Sequence, residues 1–257
     1  KAPYPMVFMA FAYQWGVYGS SLYPSHGMQA ISGAAAAKGR MKRAISGRRP
    51  FPPAALLFMS LDENKYRVDG LEGIGILSSK DYRMRTEEYT PDTAPIVINI
   101  YPRREDDEYR PLVALAPLSY EYRNCWETGA DWIRGERYRE LKHEVEATLL
   151  SRIGERMGRD FVAAVSHHEL SSPITFERYT YSKNGSFMGW SIRQSEYGRY
   201  LRQRTEIRDL YLVGQWVFPG FGVAGVMASG YYLAKEILKS EGIDLKREFA
   251  GYFATSK

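Results

Sequence analysis

A chain of 257 residues that is 44% hydrophobic and 25% charged is long enough to bury one large core or two smaller ones, which excludes global disorder. Its net charge of +5, from 35 basic and 30 acidic residues, comes without a zinc pattern, RNA-binding signature or aromatic platform, so no nucleic acid partner is expected. The single Cys125 excludes an internal disulfide and fits a reducing compartment, so the expected location is cytoplasmic.

First in chain order comes Met6 to Tyr18, rich in Met, Phe, Tyr and Ala. After a turn at Tyr23 to Gly27, a second helical stretch runs from Met28 to Lys38, and the two are expected to pack as a helical segment over residues 1–39. The apolar run Tyr4 to Tyr18 is broken by Pro5 and Gly16, carries Gln14 and falls short of the ~20 residues that span a bilayer, so no transmembrane helix is expected. Nothing at the start marks a secretory signal either. Basic residues cluster in Arg40 to Arg49, at Arg103 and Arg104, and in Arg199 to Arg208. These clusters read either as a solvated face or as peripheral contact with an anionic membrane, where each Lys or Arg contributes about 1 kcal/mol.

From Phe51 the texture changes. Ala54 to Leu61, Gly73 to Ser78, Pro95 to Tyr101 and Leu112 to Tyr120 are short apolar or alternating runs bounded by Pro, Gly and Asp, the pattern of strands. Over residues 40–200 they predict a mixed, largely antiparallel sheet with packed helices, an α+β arrangement within the broad α/β class. In Glu136 to Met157, apolar residues at Tyr138, Leu141, Val145, Leu149, Ile153 and Met157 form one helical stripe. The other face, with Arg139, Glu140, Lys142, Glu144, Glu146 and Arg152, is expected to be solvated. Phe161 to Ser166 reads as a further strand, leading through Pro173 to Tyr179 to Tyr200, where regular structure should be sparse and a site could be lined.

Residues 201–257 close the chain with a strand at Leu210 to Val213, a glycine-rich loop from Gly214 to Gly225 and a helix from Val226 to about Lys239. Gly220, Gly222 and Gly225 satisfy G-x-G-x-x-G, but Gln215 to Pro219 separate them from the strand, and no second strand with an acidic residue follows. A complete βαβ unit cannot be built from this. Two readings of the loop stay open. The free N–H groups of the following helix attract negative charge, such as that of a reduced flavin; or the glycines only allow helix and strand to pack closely.

The run Asp209-Leu-Tyr-Leu-Val-Gly-Gln-Trp-Val-Phe-Pro-Gly-Phe-Gly-Val-Ala-Gly-Val-Met-Ala-Ser-Gly230 resembles the C-terminal flavin-contacting motif of the phytoene desaturase, carotenoid isomerase and retinol saturase family. Tyr23-Pro-Ser-His-Gly-Met-Gln29 is similar to its Y-P-x-G-G-M segment. Ser172-Pro-Ile-Thr-Phe-Glu-Arg-Tyr-Thr180 is similar to its T-P-x-T-x-E-R-Y segment, followed by Gly185 and Ser186. Arg40 to Leu61 resembles the start of its substrate-domain sheet. The resemblance implies an FAD-dependent oxidoreductase, with residues 201–257 as the C-terminal strand, loop and helix of a Rossmann-like FAD-binding domain. Gly214, Gln215, Trp216, Pro219, Gly220, Gly222, Val223, Gly225 and Val226 would lie along the flavin and its ribityl chain. The chain departs from the family at Phe221 and His26, where glycine is usual, and at Ala224, where proline is usual. It also lacks the N-terminal G-x-G-x-x-G unit that holds the ADP part of FAD. Either the protein is a shortened form, or these residues are the ordered parts of a longer enzyme, which is the preferred reading.

The implied substrate is a lipophilic isoprenoid or polyene, desaturated, saturated or isomerised at a carbon–carbon double bond, and no acid or base stands out as a catalytic partner. Trp15, Tyr18, Tyr23, Tyr181, Phe187, Trp190, Tyr197 and Tyr200 flank the segments that would face the flavin; Trp15, Tyr18, Phe187, Trp190 and Phe221 are the candidate substrate contacts. No metal is expected. His167 and His168 would point to opposite faces of a strand, Glu169 does not repair this, and His26 and His143 have no companions at ligand spacing. Cys125 lacks any context that would make it a nucleophile. The alternative function is a flavin-free lipid-binding protein or chaperone derived from the same fold.

Overall fold

The computed structural model describes residues 7–8, 40–45, 47–68, 73–77, 88–102, 107–128, 133–191, 198–206 and 210–243. In chain order the elements are β1 (Val7–Phe8), α1 (Arg40–Ile45), β2 (Ala54–Leu61), β3 (Gly73–Leu77), β4 (Ile96–Ile100), β5 (Arg110–Pro117) and α2 (Tyr122–Glu127). They continue with α3 (Glu136–Met157), α4 (Arg159–Ala164), β6 (Val165–Ser171), α5 (Pro173–Thr180), a 3-10 turn at Lys183–Gly185, β7 (Tyr211–Leu212) and α6 (Val223–Ser240). The chain divides into one unit made of Lys1–Phe51 and Met188–Lys257 and another made of Pro52–Phe187. The sequence boundaries at 39/40 and 200/201 fall elsewhere, because the start and end of the chain share a unit.

In the 52–187 unit, five strands form an antiparallel sheet in the order β3-β4-β5-β2-β6. Alternation sets its faces: Ile96, Ile98 and Ile100 of β4, and Leu112, Ala114 and Ala116 of β5, point into one core. Tyr138, Leu141, Val145, Leu149 and Ile153 of α3 complete that core, as their spacing predicts, and each such buried side chain contributes about 1.5–3 kcal/mol. Helix α3 stops at Gly158, whose φ of 97° is left-handed.

Two expectations for this unit need correction. Only the end of Phe161 to Ser166 is strand: Phe161 to Ala164 lie in α4, with Phe161 and Ala164 buried one turn apart, and β6 begins at Val165; a short apolar run reads equally well as helix or strand. The strand that follows, β6, is the sheet edge, and its exposed Ser166, His167, His168 and Glu169 give a polar sequence that protects such an edge. The segment at Pro173 is helical, started by Pro173 in the first turn and by Ser172, whose hydroxyl accepts the Thr175 N–H at 3.3 Å. The polar face of α3 is not wholly solvated, since Glu146 is buried and its Oε1 lies 2.8 Å from His168 Nδ1.

Within α2, Arg123 to Glu127 all have φ between 40° and 59°, a left-handed turn that costs roughly 1–2 kcal/mol per residue. It is held by the fully buried Trp126, whose Nε1 donates to Ser119 O at 3.0 Å, and by a two-pronged pair from Arg123 to Glu144 at 2.7 Å.

In the other unit, Val7–Phe8 runs parallel to Tyr211–Leu212, so these two residues are strand where the sequence predicts helix. The remainder of the 1–39 segment, with Trp15, Tyr18, Tyr23 and His26, lies outside the described residues, as do Arg103, Arg104 and Tyr197. The basic clusters are partly engaged: Arg48 donates to the carbonyls of Ala44 and Arg199, and Arg204 pairs with Glu236 at 2.6 Å. Among the described residues no helix is long and apolar enough to cross a membrane.

Candidate functional site

The glycine-rich loop begins where β7 ends. Gly214 has φ 107°, and its N–H donates to Ser229 Oγ at 3.1 Å. The Gln203 side-chain amide donates to the Ser229 carbonyl at 2.6 Å and to its hydroxyl at 3.0 Å. Ser229 is fully buried inside α6, so these bonds bolt the helix to the end of the strand. Next, the Gln215 carbonyl sits so close to Gly189 that a Cβ there would collide with it, and the Trp216 ring meets Trp190 edge-on at 4.8 Å. Trp190 Nε1 is buried without an acceptor among the described residues.

The loop continues through a cis Phe218–Pro219 bond to Gly220, with φ 115°, and Gly222, with φ 82°. Helix α6 starts at Val223, three residues earlier than the sequence predicts, because Gly222 closes the first helical bond with Val226 N–H at 2.9 Å. Gly225 is therefore in the first turn, where a Cβ would lie 2.9 Å from the Gly220 carbonyl oxygen. The close-packing reading of the glycines holds for that position. Gly222 differs: it is exposed, it caps α6 without a side-chain hydrogen bond, and a Cβ on it would meet nothing within 4 Å. The backbone N–H groups of Val223, Ala224 and Gly225 have no intrahelical acceptor.

The nine residues proposed along a flavin thus separate by surroundings. Gly214 and Gly220 are buried within the loop; Gln215, Trp216, Pro219, Gly225 and Val226 are half-buried; Gly222 and Val223 face outward. Val223 and Met227 are 60% and 69% exposed, and with Tyr231 they form an apolar stripe at helical spacing along α6. Phe221 and Phe218 are also exposed; Phe221 lies 5.4 Å from Phe51, and Phe218 lies 5.7 Å from Tyr200 and 5.4 Å from Tyr232.

Of the candidate substrate contacts, Phe221 and Trp190 belong to this unit, whereas Phe187 belongs to the other, where it lies 6.2 Å from Phe176. Phe51, Phe218, Tyr231 and Tyr232 were not singled out in the sequence; Phe51 lies beside Phe221, and Phe218 and Tyr231 each lie beside Tyr232.

The segment from Ser172 to Thr180 is a structural joint. Tyr138 Oη lies 2.9 Å from Ser172 Oγ and 3.1 Å from Thr175 Oγ1, and a Cβ on Gly185 would strike the Pro173 carbonyl. Burial, reinforced by the Glu177 carboxylate, holds the Tyr120 hydroxyl far above the usual tyrosine range. Burial likewise pushes the Cys125 thiol above its ordinary range. Among the described residues no group of His, Cys, Asp and Glu is arranged to hold a metal ion.

Neither a family model nor a curated protein sequence matches the chain.

Proposed function

We propose that the chain is an FAD-dependent oxidoreductase, or the ordered part of one, acting on a carbon–carbon double bond of a lipophilic isoprenoid or polyene by desaturation, saturation or isomerisation. The observation that carries this reading is the outward-facing start of α6. Gly222 leaves open space, the first-turn N–H groups have no side-chain cap, and exposed Phe218, Phe221 and Val223 surround them. A flat ring system with an anionic reduced form fits such a surface in both shape and charge.

FAD bound here supplies hydride acceptance or donation at the double bond. The residues of this chain do the rest. The first turn of α6 favours negative charge at the ring edge, and fixed N–H groups do so without reorganising. The bonds among Gly214, Gln203 and Ser229 keep that turn in register with the strand. Phe218 and Phe221 exclude water and offer an apolar contact to the substrate. An apolar substrate also fits work at a membrane surface through peripheral contact.

The native gene product should carry a visible flavin spectrum after purification. A colourless, folded protein that binds apolar polyenes would instead favour the flavin-free lipid-binding reading.

A further inference from the structure

Independently of the flavin reading, we infer that the 52–187 unit carries a binding groove for a phosphomonoester or diphosphate group. An open concavity of about 640 Å³ is lined by Ile133, Arg134, Tyr138, Arg139, Lys142 and Arg178. Four of these six residues are cations and none is acidic. The chain brings them together from two regions: Ile133 and Arg134 just before α3 with Tyr138, Arg139 and Lys142 in its first turns, and Arg178 in the last turn of α5.

Aromatic rings border the groove: the Arg134 guanidinium carbon lies 5.9 Å from the Tyr138 ring centre and 6.0 Å from the Tyr179 ring centre, at the outer limit of cation–π contact. The Tyr138 hydroxyl is already occupied by Ser172 and Thr175, so this ring serves as a wall. Among the described residues the carboxylate paired with a lining cation is Glu169, 3.2 Å from Lys142 Nζ, and no carboxylate pairs with Arg139 or Arg178. Glu136 and Glu140 are exposed on the same helix but do not line the groove, and Glu177 accepts the Asn184 N–H.

Glu169 offsets the Lys142 ammonium, but the three guanidinium groups lining the concavity repel each other unless an anion joins them. The start of α3 contributes N–H groups that Gly135 does not cap with a side chain, with Glu136 in the first turn offsetting part of that positive potential. A dianionic phosphate offers one more acceptor oxygen and one more charge than a carboxylate, so it can engage more than one guanidinium fork at once. Ile133 and Tyr179 beside it are 67% and 68% exposed, so the phosphate could come from a phospholipid headgroup or from a soluble phosphorylated ligand.

The test uses the full chain, pyrophosphate in a calorimetric titration, and vesicles of phosphatidylcholine with or without phosphatidic acid in a sedimentation assay. The double variant R139Q/R178Q removes two groove charges, and K235Q/K239Q removes two exposed charges from α6 as a matched control. The groove predicts saturable binding of at least one probe that is weakened about tenfold or more in R139Q/R178Q and little changed in the control. Groove-dependent binding confined to phosphatidic acid vesicles identifies a headgroup site; groove-dependent pyrophosphate binding without vesicle binding identifies a soluble ligand. Equal losses in the two variants, or no saturable binding of either probe, would overturn the inference.

Discussion

Replacing Val223 by Asp places a carboxylate at the first position of α6, where the flavin-binding and purely structural accounts of the loop predict different outcomes. Val223 is 60% exposed, so only a minor part of its side chain leaves an apolar contact, a loss of about 0.5–1 kcal/mol. A carboxylate at a helix N-terminus gains about 0.3–1 kcal/mol, so the flavin-free protein should melt within a few degrees of wild type. The bound cofactor should respond differently. A carboxylate ~5 Å from the anionic reduced ring repels it by about 3 kcal/mol at an effective dielectric of 20, and solvent screening brings this to roughly 1–2 kcal/mol. For a two-electron couple that lowers the midpoint potential by about 20–40 mV. Redox titration of the flavin-loaded native protein measures it, with Val223→Asn as a neutral control of similar shape. Equal potentials in the Asp, Asn and wild-type proteins would refute the idea that this helix start faces the ring.

Two further outcomes follow from the geometry. Gly222→Val fills the open space above the loop and forces a β-branched residue into φ 82°, ψ 158°, a region reserved for glycine; it should abolish flavin retention and lower stability by about 1–3 kcal/mol, and unchanged flavin occupancy in a spectrum would contradict the placement. The raised pKa of Tyr120 means that the folded state holds its proton more tightly than the unfolded one, so this stabilisation is fully present below the unfolded pKa of about 10 and is lost as pH rises further; denaturant titrations should show wild type losing stability relative to Tyr120→Phe only above about pH 10, and parallel curves across that range would refute the burial argument.

Much of the sheet was legible because its signals are local. The run at Ala54–Leu61 coincides with β2, and the stripe in Glu136–Met157 coincides with α3, since period and burial agree there. The elements that went unread depend on distant partners. The strand run read from the sequence ends at Ser166, but β6 continues to Ser171 because β2 supplies the ladder, and Glu146 is buried where β6 brings His168 to it. The left-handed turn at Arg123 to Glu127 contains no glycine, so nothing local announces it; buried Trp126 and the pair with Glu144 impose it. In the candidate site, the strand, loop and helix could be read from composition, but the start of α6 could not. It depends on Gly222 capping the helix and on Gly225 lying against Gly220, and pattern G-x-G-x-x-G is silent on which glycine turns the chain and which permits close approach. The groove of Arg134, Arg139, Lys142 and Arg178 was invisible for a similar reason, because its cations come from the start of α3 and the residues just before it and from α5, with α4 and β6 in between.

The most direct test of the central claim is the absorbance spectrum of the purified native gene product, followed by denaturation and identification of any released chromophore. FAD released in near one-to-one ratio with protein is the result this account predicts. A folded product that contains no flavin, and gains none when incubated with FAD, would contradict it.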